Sequence, residues 1–93
     1  MEKAKFENLE MLYLGLNRIS DINILEKVIF KELKELDLYI NNISDIKVLE
    51  KVKFEKLEIL NLGLNQISDI DIFRKVKFNE LKELYLIIII YQI

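Results

Sequence analysis

Four phenylalanines, Phe6, Phe30, Phe54 and Phe78, stand 24 residues apart, and the chain between them repeats in step. Asn17, Asn41 and Asn65 form one column. Ile19-Ser20-Asp21-Ile22, Ile43-Ser44-Asp45-Ile46 and Ile67-Ser68-Asp69-Ile70 form another. The leucine pairs Leu12/Leu14, Leu36/Leu38, Leu60/Leu62 and Leu84/Leu86 also align. A fixed period in the range of about 20–50 residues marks a solenoid, a propeller or an array, because each unit leaves an apolar edge that only its neighbour can cover. The repeat therefore constrains the fold before any single residue is considered.

The segment from Leu57 shows what one unit does. In Leu57-Glu58-Ile59-Leu60-Asn61-Leu62, the leucines alternate with a polar residue, as in a short half-buried strand. Asn65 falls where the strand turns away; its side chain can bond nearby backbone and tolerates unusual dihedrals. Stacked from coil to coil, such asparagines form a ladder. Ile67 and Ile70 are expected to point inward. Ser68 and Asp69 are favoured helix N-caps, and they precede an apolar series at Ile70, Phe73 and Val76. Spacing by three places that series on one edge of a 3₁₀ helix or a short α-helix. Phe78 fills the return bend before Leu81 opens the next strand. Every coil runs in the same direction, so the strands are parallel, and the 3₁₀ or α segment supplies the crossover that parallel pairing requires.

Leu9-Glu10-Met11-Leu12-Tyr13-Leu14-Gly15-Leu16-Asn17-Arg18-Ile19 matches the motif LxxLxLxxNxI, which recurs from Leu33 and Leu57. This pattern resembles the leucine-rich repeat family. Its continuation through Ile-Ser-Asp-Ile looks like the internalin and SDS22-like subclass. The resemblance implies a single α/β solenoid over residues 1–93, with a parallel sheet on the concave side and 3₁₀ or short α segments on the convex side. The coils fall at about 9–32, 33–56, 57–80 and an incomplete 81–93. That subclass usually repeats at 22 residues, and this chain has two more, around Val52-Lys53-Phe54. The insertion is expected to fill the convex side with a true α-turn. Repeats one and three match closely, as do two and four, so the larger unit is a 48-residue pair.

The same resemblance places the variable positions between the leucines on the concave face. These are Met11, Glu35, Ile59 and Glu83 in one column and Tyr13, Asp37, Asn61 and Tyr85 in the next. Tyr39 stands beside them in a third, with Gly15, Gly63 and Ile87. The outermost column is Leu16, Ile40, Leu64 and Ile88, expected to pack partly against the turn. Aromatic and methionine enrichment is typical of interface centres. The expectation is a module that binds a protein or peptide through Met11, Tyr13, Glu35, Asp37, Tyr39, Ile59, Asn61, Glu83 and Tyr85.

The fourth repeat breaks its own pattern. Ile89 and Tyr91 stand where Asn and Ile are due, within Ile87-Ile88-Ile89-Ile90-Tyr91-Gln92-Ile93. An uncharged run of high β-propensity is the composition of a self-pairing strand. Residues 1–5 are too short to cap the first coil. The alternative expectation is a self-assembling repeat protein, or a piece of a longer array. It would form a homo-oligomer through its uncapped ends and through Ile87, Ile88, Ile89, Ile90, Tyr91 and Ile93.

Composition argues against most chemistry. The chain lacks His, Cys, Pro, Trp and Thr. Without His and Cys, the best ligands for zinc, copper and iron are missing. Ser20, Ser44 and Ser68 recur once per coil, a structural pattern, and no His is present to activate them. Asp21, Asp45 and Asp69 form an acidic column better read as capping than as a calcium site. Glu35 and Glu83 lack a pocket for glycosidic chemistry. Gly15 and Gly63 are single, so no phosphate loop is present. Neither an enzyme nor a cofactor is expected. Lys and Glu are interleaved at a net charge of −2, which leaves no basic patch for nucleic acid. The longest apolar run, Leu86–Tyr91, is far short of the roughly 20 residues of a spanning helix. These features, with the absence of cysteine, point to a cytoplasmic chain without a membrane partner.

Overall fold

The computed structural model describes residues 4–76, 78 and 80–86. They wind into a succession of coils built on two parallel sheets. The larger sheet orders β2 (Met11–Tyr13), β4 (Glu35–Asp37), β5 (Ile59–Asn61) and β6 (Glu83–Tyr85) side by side. Partners stand 24 residues apart: Met11 opposite Glu35, Glu35 opposite Ile59 and Ile59 opposite Glu83. Three short 3₁₀ helices carry the chain across: η1 (Asn23–Lys27), η2 (Lys47–Glu50) and η3 (Asp71–Arg74).

The core lies between sheet and crossovers. Leu36, Leu38, Leu60 and Leu62 point into it from the strands. Ile43, Leu49 and Leu33 meet them from the rest of the coil. Each fully buried Leu or Ile contributes about 1.5–3 kcal/mol relative to exposure, and no single coil contains enough neighbours to bury its own.

The α-turn expected at the insertion closes in the third coil, where Val76 N–H donates to the Ile72 carbonyl at 3.0 Å. The crossovers are 3₁₀, and the chain then extends: β3 (Val28–Phe30) pairs in parallel with β1 (Ala4–Phe6), and Phe30 bridges to Phe54. The physical reason is the phenylalanine column. Extended backbone at the return bend aims each ring at the one in the next coil. Centroids are 6.0 Å apart for Phe6–Phe30 and Phe30–Phe54 and 6.3 Å for Phe54–Phe78, with rings within 28° of parallel. Such stacking adds about 0.5–1.5 kcal/mol per pair beyond burial. Residues 4–6 thus join the first coil as a strand, although Phe6 stays 47% exposed against 2% for Phe30.

Three expectations are corrected. The aspartates are not N-caps. Ile22, Ile46 and Ile70 hold that position without a side-chain bond. Asp21, Asp45 and Asp69 sit one residue earlier and accept the N–H two residues ahead, from Asn23, Lys47 and Asp71 at 2.8–3.0 Å. This Asx turn bends the chain into the helix, while Ser20, Ser44 and Ser68 are exposed. Ile70 does not point inward as its homologues do. It is 44% exposed against 3% for Ile22 and 2% for Ile46. The unusual dihedral belongs not to the asparagine but to the residue before it: Leu16, Ile40 and Leu64 have φ of 58°, 54° and 51°.

The asparagines themselves form the expected ladder. Asn41 Nδ2 donates to the carbonyls of Leu14 and Leu38, both at 3.0 Å, and its Oδ1 accepts from Ile19 N–H at 3.0 Å. Asn65 repeats this on Leu38, Leu62 and Ile43. Each asparagine thus ties the turn of its own coil to the turn of the preceding one. Glu10–Lys34, Glu32–Lys56 and Glu58–Lys82 ion pairs at 2.9–3.3 Å span the same coil boundaries on the surface.

Candidate functional site: the concave sheet face

Outward positions of the larger sheet form two rows, as strand alternation dictates. Met11, Glu35, Ile59 and Glu83 make the first, and Tyr13, Asp37, Asn61 and Tyr85 the second. Met11 is 54% exposed, Tyr13 57% and Tyr85 46%. Glu83 is exposed; Glu35, Asp37, Ile59 and Asn61 are half-buried. Large apolar side chains thus stand in solvent on one face, while Leu36 and Leu60 beneath it are fully buried.

The rows are cross-linked. The Tyr13 hydroxyl donates a short hydrogen bond to the Glu35 carboxylate one strand away and also approaches Met11 Sδ at 3.4 Å. The Tyr85 hydroxyl donates to Glu83 at 2.8 Å. Both phenols are held above their usual pKa. For Tyr13 the Glu35 hydrogen bond is the main cause, followed by desolvation and by the charges of Glu35 and Asp37. For Tyr85 the main cause is the Glu83 hydrogen bond. At neutral pH these tyrosines are donors and the carboxylates are oriented acceptors.

Asp37 and Asn61 are engaged differently. Asp37 Oδ1 accepts the Tyr39 N–H at 2.8 Å, and Asn61 Oδ1 accepts the Gly63 N–H at 2.9 Å. These side chains shape the strand exits. Tyr39 lies over the next coil: a Cβ on Gly63 would come within 3.2 Å of its ring. Gly63 leaves room for that ring, and Gly15 leaves room for the Tyr39 carbonyl, 3.0 Å from where its own Cβ would stand. The structure therefore joins Met11, Tyr13 and Glu35 in one cluster and Glu83 and Tyr85 in another. Tyr39 is half-buried beside them. The tail residues named above, Ile87 to Ile93, lie outside the described residues.

One feature of this rim is not evident in the motif. Leu16, 75% exposed, and the half-buried Ile40 and Leu64 hold left-handed backbone. Glycine or asparagine fits that conformation with less strain. The only hint in the sequence is that Gly15 and Gly63 precede the strained position instead of occupying it.

Other surfaces offer less. A groove of about 470 Å³ between the second and third crossovers is lined by Asp45, Lys47, Glu50, Asp69 and Lys75, with the two aspartates already bound to backbone. Among the described residues no group of three or more His, Cys, Asp or Glu is placed to hold a metal ion. No helix among them is long and apolar enough to cross a membrane.

Comparison with known proteins agrees with this geometry. Residues 7–51 match the family model described as leucine rich repeats (2 copies). The fold is similar to that of an internalin (inlF) from Listeria monocytogenes strain 4b F2365, at a TM-score of 0.56 and 26% sequence identity over 85% of this chain. The chain spans 28% of that internalin chain. No curated protein sequence matches significantly. Residues 7–51 thus carry leucine-rich repeats, and the described coils have the fold of a leucine-rich repeat solenoid.

Proposed function

We propose that the concave sheet face binds a protein or peptide partner through Met11, Tyr13, Glu35, Ile59, Glu83 and Tyr85. Leucine-rich repeat domains generally mediate protein–protein interaction and are typically not enzymes. The observation that carries the finer reading is the exposure of Met11, Tyr13 and Tyr85 on one rigid parallel sheet. Aromatic and methionine side chains release the most water per residue when covered, and their rotamers are already restrained by neighbours. Four strands at about 4.8 Å spacing span about 15 Å, the width of a short peptide segment. Asp37 and Asn61 shape the strand exits of this face. Affinity selection from a peptide-display library tests the reading: Tyr13→Ala with Tyr85→Ala abolishes capture of the selected peptides. Unchanged capture refutes it.

A second reading, self-association, is favoured by the outer coils. Phe6 is 47% exposed and Leu84 37%, whereas the equivalent Phe30, Leu36 and Leu60 are buried. A strand laid against either edge would cover them. Light scattering across a concentration series distinguishes this reading; a constant monomer mass eliminates it.

A further inference from the structure

We propose that the partner of the concave face is a basic peptide in the polyproline II conformation, with an arginine at every third position. This rests on the concave-face reading and adds the chemistry of the ligand. None of the eight outward strand positions is Lys or Arg, while Glu35, Asp37 and Glu83 are carboxylates. The nearest flanking lysines are engaged elsewhere: Lys34 with Glu10 at 3.3 Å and Lys82 with Glu58 at 3.1 Å. The face is therefore negative, and a cationic ligand complements it.

Spacing narrows the ligand further. Glu35 and Glu83 share a row and stand two strands apart, about 9.6 Å at the usual strand separation. A polyproline II helix presents the same face every three residues, about 9.3 Å. A β-extended peptide presents it about every 6.7 Å and falls out of step. A ligand running across the strands thus sets one arginine on Glu35 and the next on Glu83. Ile59 lies between them in the row, and Tyr13 and Tyr85 stand in the neighbouring row with their hydroxyls on those two carboxylates. Aromatic floors suit proline rings in this conformation. Arginine fits better than lysine. Each carboxylate is already fixed by a tyrosine hydroxyl, and a planar guanidinium can take the carboxylate while stacking on the ring.

The test is fluorescence anisotropy with a labelled peptide of three Arg-Pro-Pro triplets. Its control has the same composition with the arginines clustered at one end. Saturable binding is expected, at least ~10-fold tighter than for the control and weakened by salt. Glu35→Gln with Glu83→Gln should weaken it by about 10-fold or more. No saturable binding, equal affinity for the clustered peptide, or indifference to the glutamine variant overturns the proposal. A neutral or acidic peptide that binds, and is lost in Tyr13→Ala with Tyr85→Ala, overturns the basic-ligand inference while the concave face stands. An arginine peptide indifferent to both double variants overturns the two readings together.

Discussion

Replacing Asn41 by alanine tests whether the asparagine ladder holds the coils together. Asn41 is 5% exposed and makes three hydrogen bonds. Two of its acceptors keep another partner. The Leu14 carbonyl retains Asn17 Nδ2 at 2.9 Å, and the Leu38 carbonyl retains Asn65 Nδ2 at 2.9 Å. Ile19 N–H loses its only side-chain acceptor. An orphaned, largely desolvated donor costs about 1–3 kcal/mol, and each of the two shared bonds about 0.5–1.5 kcal/mol. Asn41→Ala should therefore cost about 3–4 kcal/mol. That is a large share of the roughly 5–14 kcal/mol expected for a domain of this size. Asn17 is the internal control. It is exposed and bonds only its own turn, at Leu14 and Gly15, so water replaces most of what it loses. Asn17→Ala should cost about 1 kcal/mol or less. Asn41→Asp sharpens the test: it keeps the acceptor for Ile19 but sets a carboxylate against two carbonyl oxygens. Its native pKa would be raised, so the native state binds the proton more strongly than the unfolded state. Stability would recover as pH falls through that raised value. Urea unfolding followed by circular dichroism measures all three variants. If Asn41→Ala and Asn17→Ala agree within about 0.5 kcal/mol, or Asn41→Asp matches the parent at neutral pH, the ladder argument is wrong.

Three other outcomes are expected. Phe30→Ala removes a buried ring stacked on both sides and should cost about 3–5 kcal/mol; Phe6→Ala, half-exposed and stacked on one side, should cost less than half of that in the same urea titration. Leu16→Asn should raise the urea midpoint by an amount equivalent to about 1 kcal/mol, because asparagine tolerates the left-handed backbone and Leu16 has little burial to lose; Ile40→Asn, half-buried, should show no such gain. Above about pH 10 the unfolded tyrosines lose their protons while Tyr13 and Tyr85, with raised native pKa values, keep theirs. The native state then binds more protons, so stability is unaffected below about pH 10 and falls as pH rises through the native values; Tyr13→Phe removes its share of that slope in alkaline urea titrations.

The concave site was legible only in part. Strand alternation alone assigns Met11, Tyr13, Glu35, Ile59, Glu83 and Tyr85 to one face, because side-chain direction has period two and the coils share one register. It could not assign what those side chains do there. Asp37 and Asn61 have the same outward direction, yet they turn onto the backbone two residues ahead. Tyr39 looks like a free aromatic in the sequence, and it lies on Gly63 of the next coil. The Tyr13–Glu35 bond joins residues 22 apart, and no local pattern encodes it.

The sequence by itself determined the solenoid, the parallel strands, the buried leucines and the asparagine ladder, since a repeated apolar edge has no other way to leave water. Only the tertiary structure decided the insertion at Val52-Lys53-Phe54, the seat of the left-handed backbone and the exposure of Ile70. The first two depend on what the neighbouring coil presents. The return bend extends because a ring in the adjacent coil waits to be stacked. The strained φ falls on Leu16, Ile40 and Leu64 because the asparagine after each must reach the carbonyls of its own strand. Ile70 is 44% exposed where Ile22 and Ile46 are buried, although the three hold the same place in the motif.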